Sequence, residues 1–94
     1  LYNAGNSGAA DGDPRLPARV YTGGQALFDP TNPLKLLART GEPFIRPTEA
    51  YERTGQYKEG TTFVEGLVRF RGRWLLYYGT ADSRVGVALS PRSP

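Results

Sequence analysis

Ninety-four residues with 38% hydrophobic content and a single tryptophan make at most one ordinary domain with a modest core. Cysteine and histidine are both absent, which excludes a disulfide framework, a thiolate metal site, zinc chemistry and Ser-His or Cys-His triads. The net charge of +3 is spread without a block of like charges, so nucleic-acid binding gains little from it, and no apolar run approaches the ~18 residues of a membrane span.

Residues 1–17 begin as the end of a strand, Leu1-Tyr2-Asn3, and continue as a loop rich in Gly, Ala, Asn, Asp and Pro. Residues 18–60 read as strands and connectors. Over 19–28 the apolar and aromatic side chains resume around Gly23 and Gly24, which predicts one strand with a bulge or a close approach. Asp29-Pro30-Thr31-Asn32-Pro33 stops it. The run at 34–39 reads as a further strand by its length and flanking prolines, with a helix still open. Pro43 and Pro47 hold 42–47 extended, because the residue before a proline avoids helical angles, and Phe44 and Ile45 are expected to be buried there. Residues 48–60 lack clean periodicity and read as an irregular loop with one helical turn. So long an ordered loop suits a functional role.

Residues 61–91 carry the clearest pattern. A β-rich run at 62–70, a break at Arg71-Gly72 and a second β-rich run at 73–79 predict a hairpin. Thr80-Ala81-Asp82-Ser83 then leads to a third strand at 84–89, closed by Ser90 and Pro91. Three sequential antiparallel strands match one blade of a β-propeller or part of a small sandwich. Glycine (12) and proline (8) together make about a fifth of the chain, which argues against a helical bundle. Arg69, Arg71 and Arg73, beside Trp74, form the tightest basic group. A phosphate backbone would suit them, but a solvated hairpin tip explains them more simply. No nucleic-acid or membrane partner is expected. Methionine is absent, so the chain is expected to be a piece of a longer protein or a processed product. With no basic segment followed by an apolar one at its start, a cytoplasmic location is expected.

Several blocks, taken in order, point to a family. Leu1-Tyr2-Asn3-Ala4-Gly5, then Tyr21-Thr22-Gly23-Gly24-Gln25-Ala26-Leu27-Phe28-Asp29, Pro33-Leu34-Lys35, Glu42-Pro43-Phe44, Tyr51-Glu52 and Gly55 are followed by Phe63-Val64-Glu65-Gly66-Leu67-Val68 and Tyr77-Tyr78-Gly79-Thr80-Ala81-Asp82-Ser83. Together they resemble the C-terminal third of glycoside hydrolase family 130. The resemblance implies an all-β fold, about two blades of a five-bladed β-propeller with antiparallel sheets and long loops, over residues 1–94. It also implies a β-mannoside oligosaccharide as partner, cleaved with inversion by water or by phosphate. The remaining blades would come from the same chain or from self-association, since open sheet edges and a half-exposed core need cover.

The same resemblance assigns roles. The family's general acid is an aspartate of an N-terminal blade, so this chain alone is expected to be inactive. Asp82 matches a carboxylate that binds sugar hydroxyls in the glycone subsite, where a charged acceptor outperforms a neutral one; by itself it also reads as a turn-capping aspartate. Tyr21 matches a tyrosine near the phosphate of phosphorylase relatives, and reads equally as an ordinary strand aromatic. Asn3 stands where phosphorylases carry histidine, which weakens phosphate capture. Glu65 is the candidate base of an inverting hydrolase, whose carboxyl groups stand ~6.5–9.5 Å apart with water between them; its alternative is a strand glutamate facing solvent. Trp74, Tyr77 and Tyr78 read chiefly as blade packing, with Tyr78 the best of them for a ligand contact. Hydrolysis is therefore favoured over phosphorolysis, and a non-catalytic carbohydrate-binding module is the competing reading. No cofactor or metal is expected, inorganic phosphate entering only for a phosphorylase.

Overall fold

A computed structural model of the chain describes residues 1–92. Its elements are β1 (Tyr2–Gly5), β2 (Tyr21–Gly24), β3 (Ala26–Phe28), β4 (Leu36–Arg39), a one-turn helix α1 (Ala50–Arg53), and β5 (Thr62–Phe70), β6 (Arg73–Thr80) and β7 (Arg84–Leu89). They make three antiparallel sheets, β1-β2, β3-β4 and β5-β6-β7. This is an all-β arrangement of the kind expected for part of a propeller.

The largest sheet follows the local chemistry. β-branched and aromatic residues fill β5 and β6, and Arg71 (φ 50°) and Gly72 (φ 75°) supply the two left-handed residues of a tight hairpin turn. Ala81 and Asp82 (φ 49° and 54°) form the centre of the turn into β7. One residue of β5 is surplus to the ladder: Val64 pairs with Tyr78 and Gly66 with Tyr77, leaving Glu65 as a β-bulge.

The single strand expected over 19–28 is divided between two sheets. β2 pairs with β1, whereas β3 pairs with β4 across the Asp29-Pro30-Thr31-Asn32-Pro33 break. The division occurs at the glycines: a Cβ on Gly23 would lie 2.7 Å from Cγ2 of Ile45, and one on Gly24 would lie 2.3 Å from the Tyr2 ring. These contacts let β2 sit between β1 and the 42–47 connector.

That connector is extended as its prolines require, and the amides of Phe44 and Ile45 both donate to the Gly23 carbonyl, at 2.8 and 3.3 Å. Of these two side chains Ile45 is half-buried. Phe44 was expected to be buried but is 49% exposed, because Ile45 takes the side facing Gly23 and Phe44 is left lining an open apolar trough of about 620 Å³ with Leu67, Trp74, Leu76 and Leu89.

The blade is joined to β1-β2 by polar links. Tyr21 bridges to Thr61, the Thr62 hydroxyl donates to the Tyr21 carbonyl at 3.3 Å, and Asn3 reaches Val64. The buried hydrophobic side chains among the described residues are Val20, Leu76, Tyr78 and Ala81, a small core. The radius of gyration is 14.6 Å, against about 12 Å for a compact chain of this length. Large apolar side chains are correspondingly left open on both sides of the blade, Leu67 and Trp74 on one and Val68 and Phe70 on the other.

Candidate functional site

Residues directly opposite each other in a ladder share a face, and successive residues alternate. Phe63 opposes Gly79 on one face of the blade, and Val64 opposes Tyr78 on the other. The Phe63 Cβ and the Glu65 carboxylate both lie within 4 Å of the position a Cβ on Gly79 would take, so they share the Gly79 face. On this side Tyr21 packs edge-on against Phe63 with ring centroids 5.9 Å apart, and against Tyr57 at 5.5 Å.

Glu65 is exposed and forms no hydrogen bond or ion pair among the described residues. It also borders a concavity of about 250 Å³ that opens toward the opposite face of the blade, where Val64 and Leu67 line it with Tyr2 and Asn3. Asn3, its neighbour there, has both ends of its amide engaged. Its Oδ1 accepts from the Val64 N–H at 2.6 Å and its Nδ2 donates to the Val64 carbonyl at 3.1 Å. The side chain thus acts as a rung between β1 and β5.

Asp82 is likewise exposed and without a hydrogen bond or ion pair among the described residues. It stands at the end of the blade where Tyr57 packs on Tyr21. The Tyr57 hydroxyl donates to the Arg19 carbonyl at 2.5 Å. Its pKa is raised, first by burial and then by the charge of Glu59, the Tyr21 phenol and, more weakly, Asp82, against a lowering effect of Arg19. Two carboxylates with no internal partner thus accompany a group of aromatic rings, a combination able to accept hydrogen bonds from hydroxyls and to cover apolar ring faces.

Tyr78 lies on the opposite face and is 4% exposed, so it offers no surface to a ligand. Its hydroxyl donates to Oε2 of Glu52 at 2.6 Å. That proton being committed, Tyr51 is the donor in the 3.3 Å contact between the two phenols. Glu52, buried at 3% exposure, also accepts at Oε1 from the amides of Thr48 (2.9 Å) and Glu49 (2.8 Å), which opens α1. Burial opposes its ionisation, yet the bonds from Tyr78 and the two amides outweigh burial and hold the carboxyl below its ordinary range. The Tyr78 phenol is pushed far up, by burial first and then by Glu52 and Tyr51, and remains a donor.

Sequence reasoning gave no role to Tyr57 or to the Glu52 anchor. A glutamate three residues after Glu49 is a helix-start signal, and Tyr57 lies in the loop flagged for its length, but neither feature identifies a partner across 20 or more residues. Among the described residues no group of acidic side chains is arranged to hold a metal ion, and no helix is long and apolar enough to cross a membrane.

Comparison with known proteins bears on the fold and the family. A family model described as β-1,4-mannooligosaccharide phosphorylase matches residues 12–93. A β-1,2-mannobiose phosphorylase of Thermoanaerobacter sp. (strain X514) is 37% identical over 70 residues, 74% of this chain and 23% of that protein. A candidate glycoside hydrolase from Parabacteroides distasonis ATCC 8503 superposes with a TM-score of 0.91 at 52% identity, over 97% of this chain and 26% of that one. A further structure, reported with the finding that this family of mannoside phosphorylases contains glycoside hydrolases targeting β-1,2 mannosidic linkages in Candida mannan, superposes with a TM-score of 0.87 at 46% identity, over 98% of this chain and 27% of that one. The chain therefore spans about a quarter of the length of these relatives. Its ordered motifs, its antiparallel blade and these matches together show that it belongs to glycoside hydrolase family 130.

Proposed function

We propose that this chain forms the glycone-binding side of an active site that cleaves β-mannosides with inversion, by hydrolysis in preference to phosphorolysis. The observation that carries the reading is Asp82: an exposed carboxylate with no internal partner, on a turn beside the Tyr21 and Tyr57 rings. A charged acceptor without an internal bond is available to paired sugar hydroxyls. Tyr21 borders the same site. Glu65, raised out of the ladder by its bulge, is the group that activates water.

The preference for hydrolysis has two supports. An uncompensated carboxylate at Glu65 repels a phosphate dianion. Asn3 is engaged with Val64 and is not free to bind one. Phosphorolysis is the second reading, favoured by the 37% identity to a mannobiose phosphorylase. The proton donor and the rest of the ring lie outside this chain, so these 94 residues alone are inactive and their open apolar faces are covered by further blades.

The test is an assay of the full-length enzyme on β-1,2- and β-1,4-linked manno-oligosaccharides, with and without phosphate. Release of free mannose without phosphate is the expected result. Strict dependence on phosphate with release of mannose 1-phosphate refutes the hydrolase reading, and inactivity on every β-mannoside refutes the substrate class.

A further inference from the structure

Asp82 stands at the centre of a three-residue turn, 81–83, and both of its neighbours are tied to the segment 54–57 that follows α1. The Tyr57 N–H donates to the Ala81 carbonyl at 3.0 Å, and the Gln56 N–H donates to the Ser83 hydroxyl at 3.0 Å. Arg84 Nη1 reaches the Thr54 carbonyl at 3.5 Å. Gly55, at φ 152°, makes the approach possible: a Cβ there would lie 2.4 Å from the Ser83 Oγ and 2.7 Å from the Ala81 carbonyl oxygen.

The segment is itself anchored at both ends. Behind it, Glu52 binds Tyr78 of β6 and its carbonyl accepts from the Thr61 N–H at 2.9 Å. Ahead of it, Tyr57 is bonded to Arg19 and packed on Tyr21. Asp82 adds nothing to this network. A left-handed residue whose side chain has no bond of its own takes its direction from what restrains the residues on either side.

We infer that residues 54–57 are a clamp that aims the Asp82 carboxylate into the sugar site, with Ser83 as the positioning residue on which the clamp acts. The inference rests on the reading of Asp82 as a glycone contact.

The test uses the full-length enzyme and reads KM for a β-mannoside. KM, unlike the maximal rate, does not depend on the fraction of enzyme that is folded. Loss of one positioning hydrogen bond corresponds to a rise in KM of about threefold to tenfold for Ser83→Ala, with a smaller fall in kcat. Ser83→Thr keeps the hydroxyl and restores KM. Gly55→Ala, which pushes on both Ser83 and Ala81, raises KM by a similar or larger factor. In an Asp82→Gly background, where glycine accepts the left-handed angle and leaves no carboxylate to aim, Ser83→Ala adds less than about twofold.

A KM for Ser83→Ala within twofold of the parent, while Asp82→Gly raises it, overturns the clamp and leaves the glycone reading standing. Full additivity of Ser83→Ala with Asp82→Gly also overturns the clamp. An enzyme indifferent to Asp82→Gly overturns the glycone reading and the clamp with it.

Discussion

Replacing Tyr78 with phenylalanine deletes one oxygen from the best-connected buried polar group of the blade. The ring keeps its packing, so the effect isolates the bond to Glu52. That bond is short, 2.6 Å, buried and made to a carboxylate held ionised by two further amides. Charge-assisted bonds of this kind contribute about 1.5–3 kcal/mol, and the buried charge loses its closest donor when the hydroxyl goes. Tyr78→Phe is therefore expected to destabilise the full-length protein by about 2 kcal/mol, or about 3 °C in unfolding temperature for an enzyme of this family's size. The pH dependence provides the sharper check. Glu52 has a folded pKa below its ordinary 4.5. It contributes stability that is fully present above the unfolded value and is lost as pH falls through the lower folded one. Removing the Tyr78 hydroxyl raises the folded pKa, so this contribution shrinks and disappears at a higher pH; Glu52→Gln removes it altogether. Urea unfolding between pH 3 and 7 reads both effects. Equal stability of Tyr78→Phe and the parent at pH 7, or an acid limb untouched by Glu52→Gln, refutes the reasoning.

Other perturbations separate chemistry from scaffold. Glu65→Gln should cut the hydrolytic rate by about 10² or more while leaving the unfolding temperature unchanged, because the side chain is exposed and bonded to nothing among the described residues; a parental rate would remove it as the base. Asn3→Ala should cost about 1–2 kcal/mol in urea unfolding, since it unmakes both bonds to the Val64 backbone, and a neutral result would deny it the role of a rung. The 94-residue chain in isolation should self-associate and bind a hydrophobic dye through its open apolar trough. Sedimentation as a folded monomer at high concentration would contradict that.

The sequence made the largest sheet legible because its information is local. The β5-β6 hairpin rests on two β-rich runs and an Arg71-Gly72 turn, β7 on a short alternating run, and the α1 turn on one irregular loop. What escaped depends on partners distant in the chain. Nothing within 19–28 says that Gly24 abuts Tyr2 while Gly23 abuts Ile45, and these contacts send the two halves of that stretch to different sheets. Alternation along 73–79 places Trp74, Leu76 and Tyr78 on one face, and they do share it. It could not say that Leu76 and Tyr78 are covered while Trp74 remains 45% exposed. The family motifs point to Asp82, Tyr21 and Asn3, and the need of an inverting hydrolase for a base points to Glu65. Motifs of this kind specify which residues matter and not how they are held, so the backbone bonds of residues 56 and 57 to the Asp82 turn had no signal to betray them.

The bulge at Glu65 means that the blade can be counted without that residue. Excising it would bring Val64 and Gly66 into consecutive pairs with Tyr78 and Tyr77, and every later rung would stay where it is. A one-residue deletion in the middle of a strand ordinarily turns all the following side chains inside out. Here it would leave the sheet's stacking order undisturbed and erase a single carboxylate, so selection can alter or discard this group without renegotiating the architecture around it.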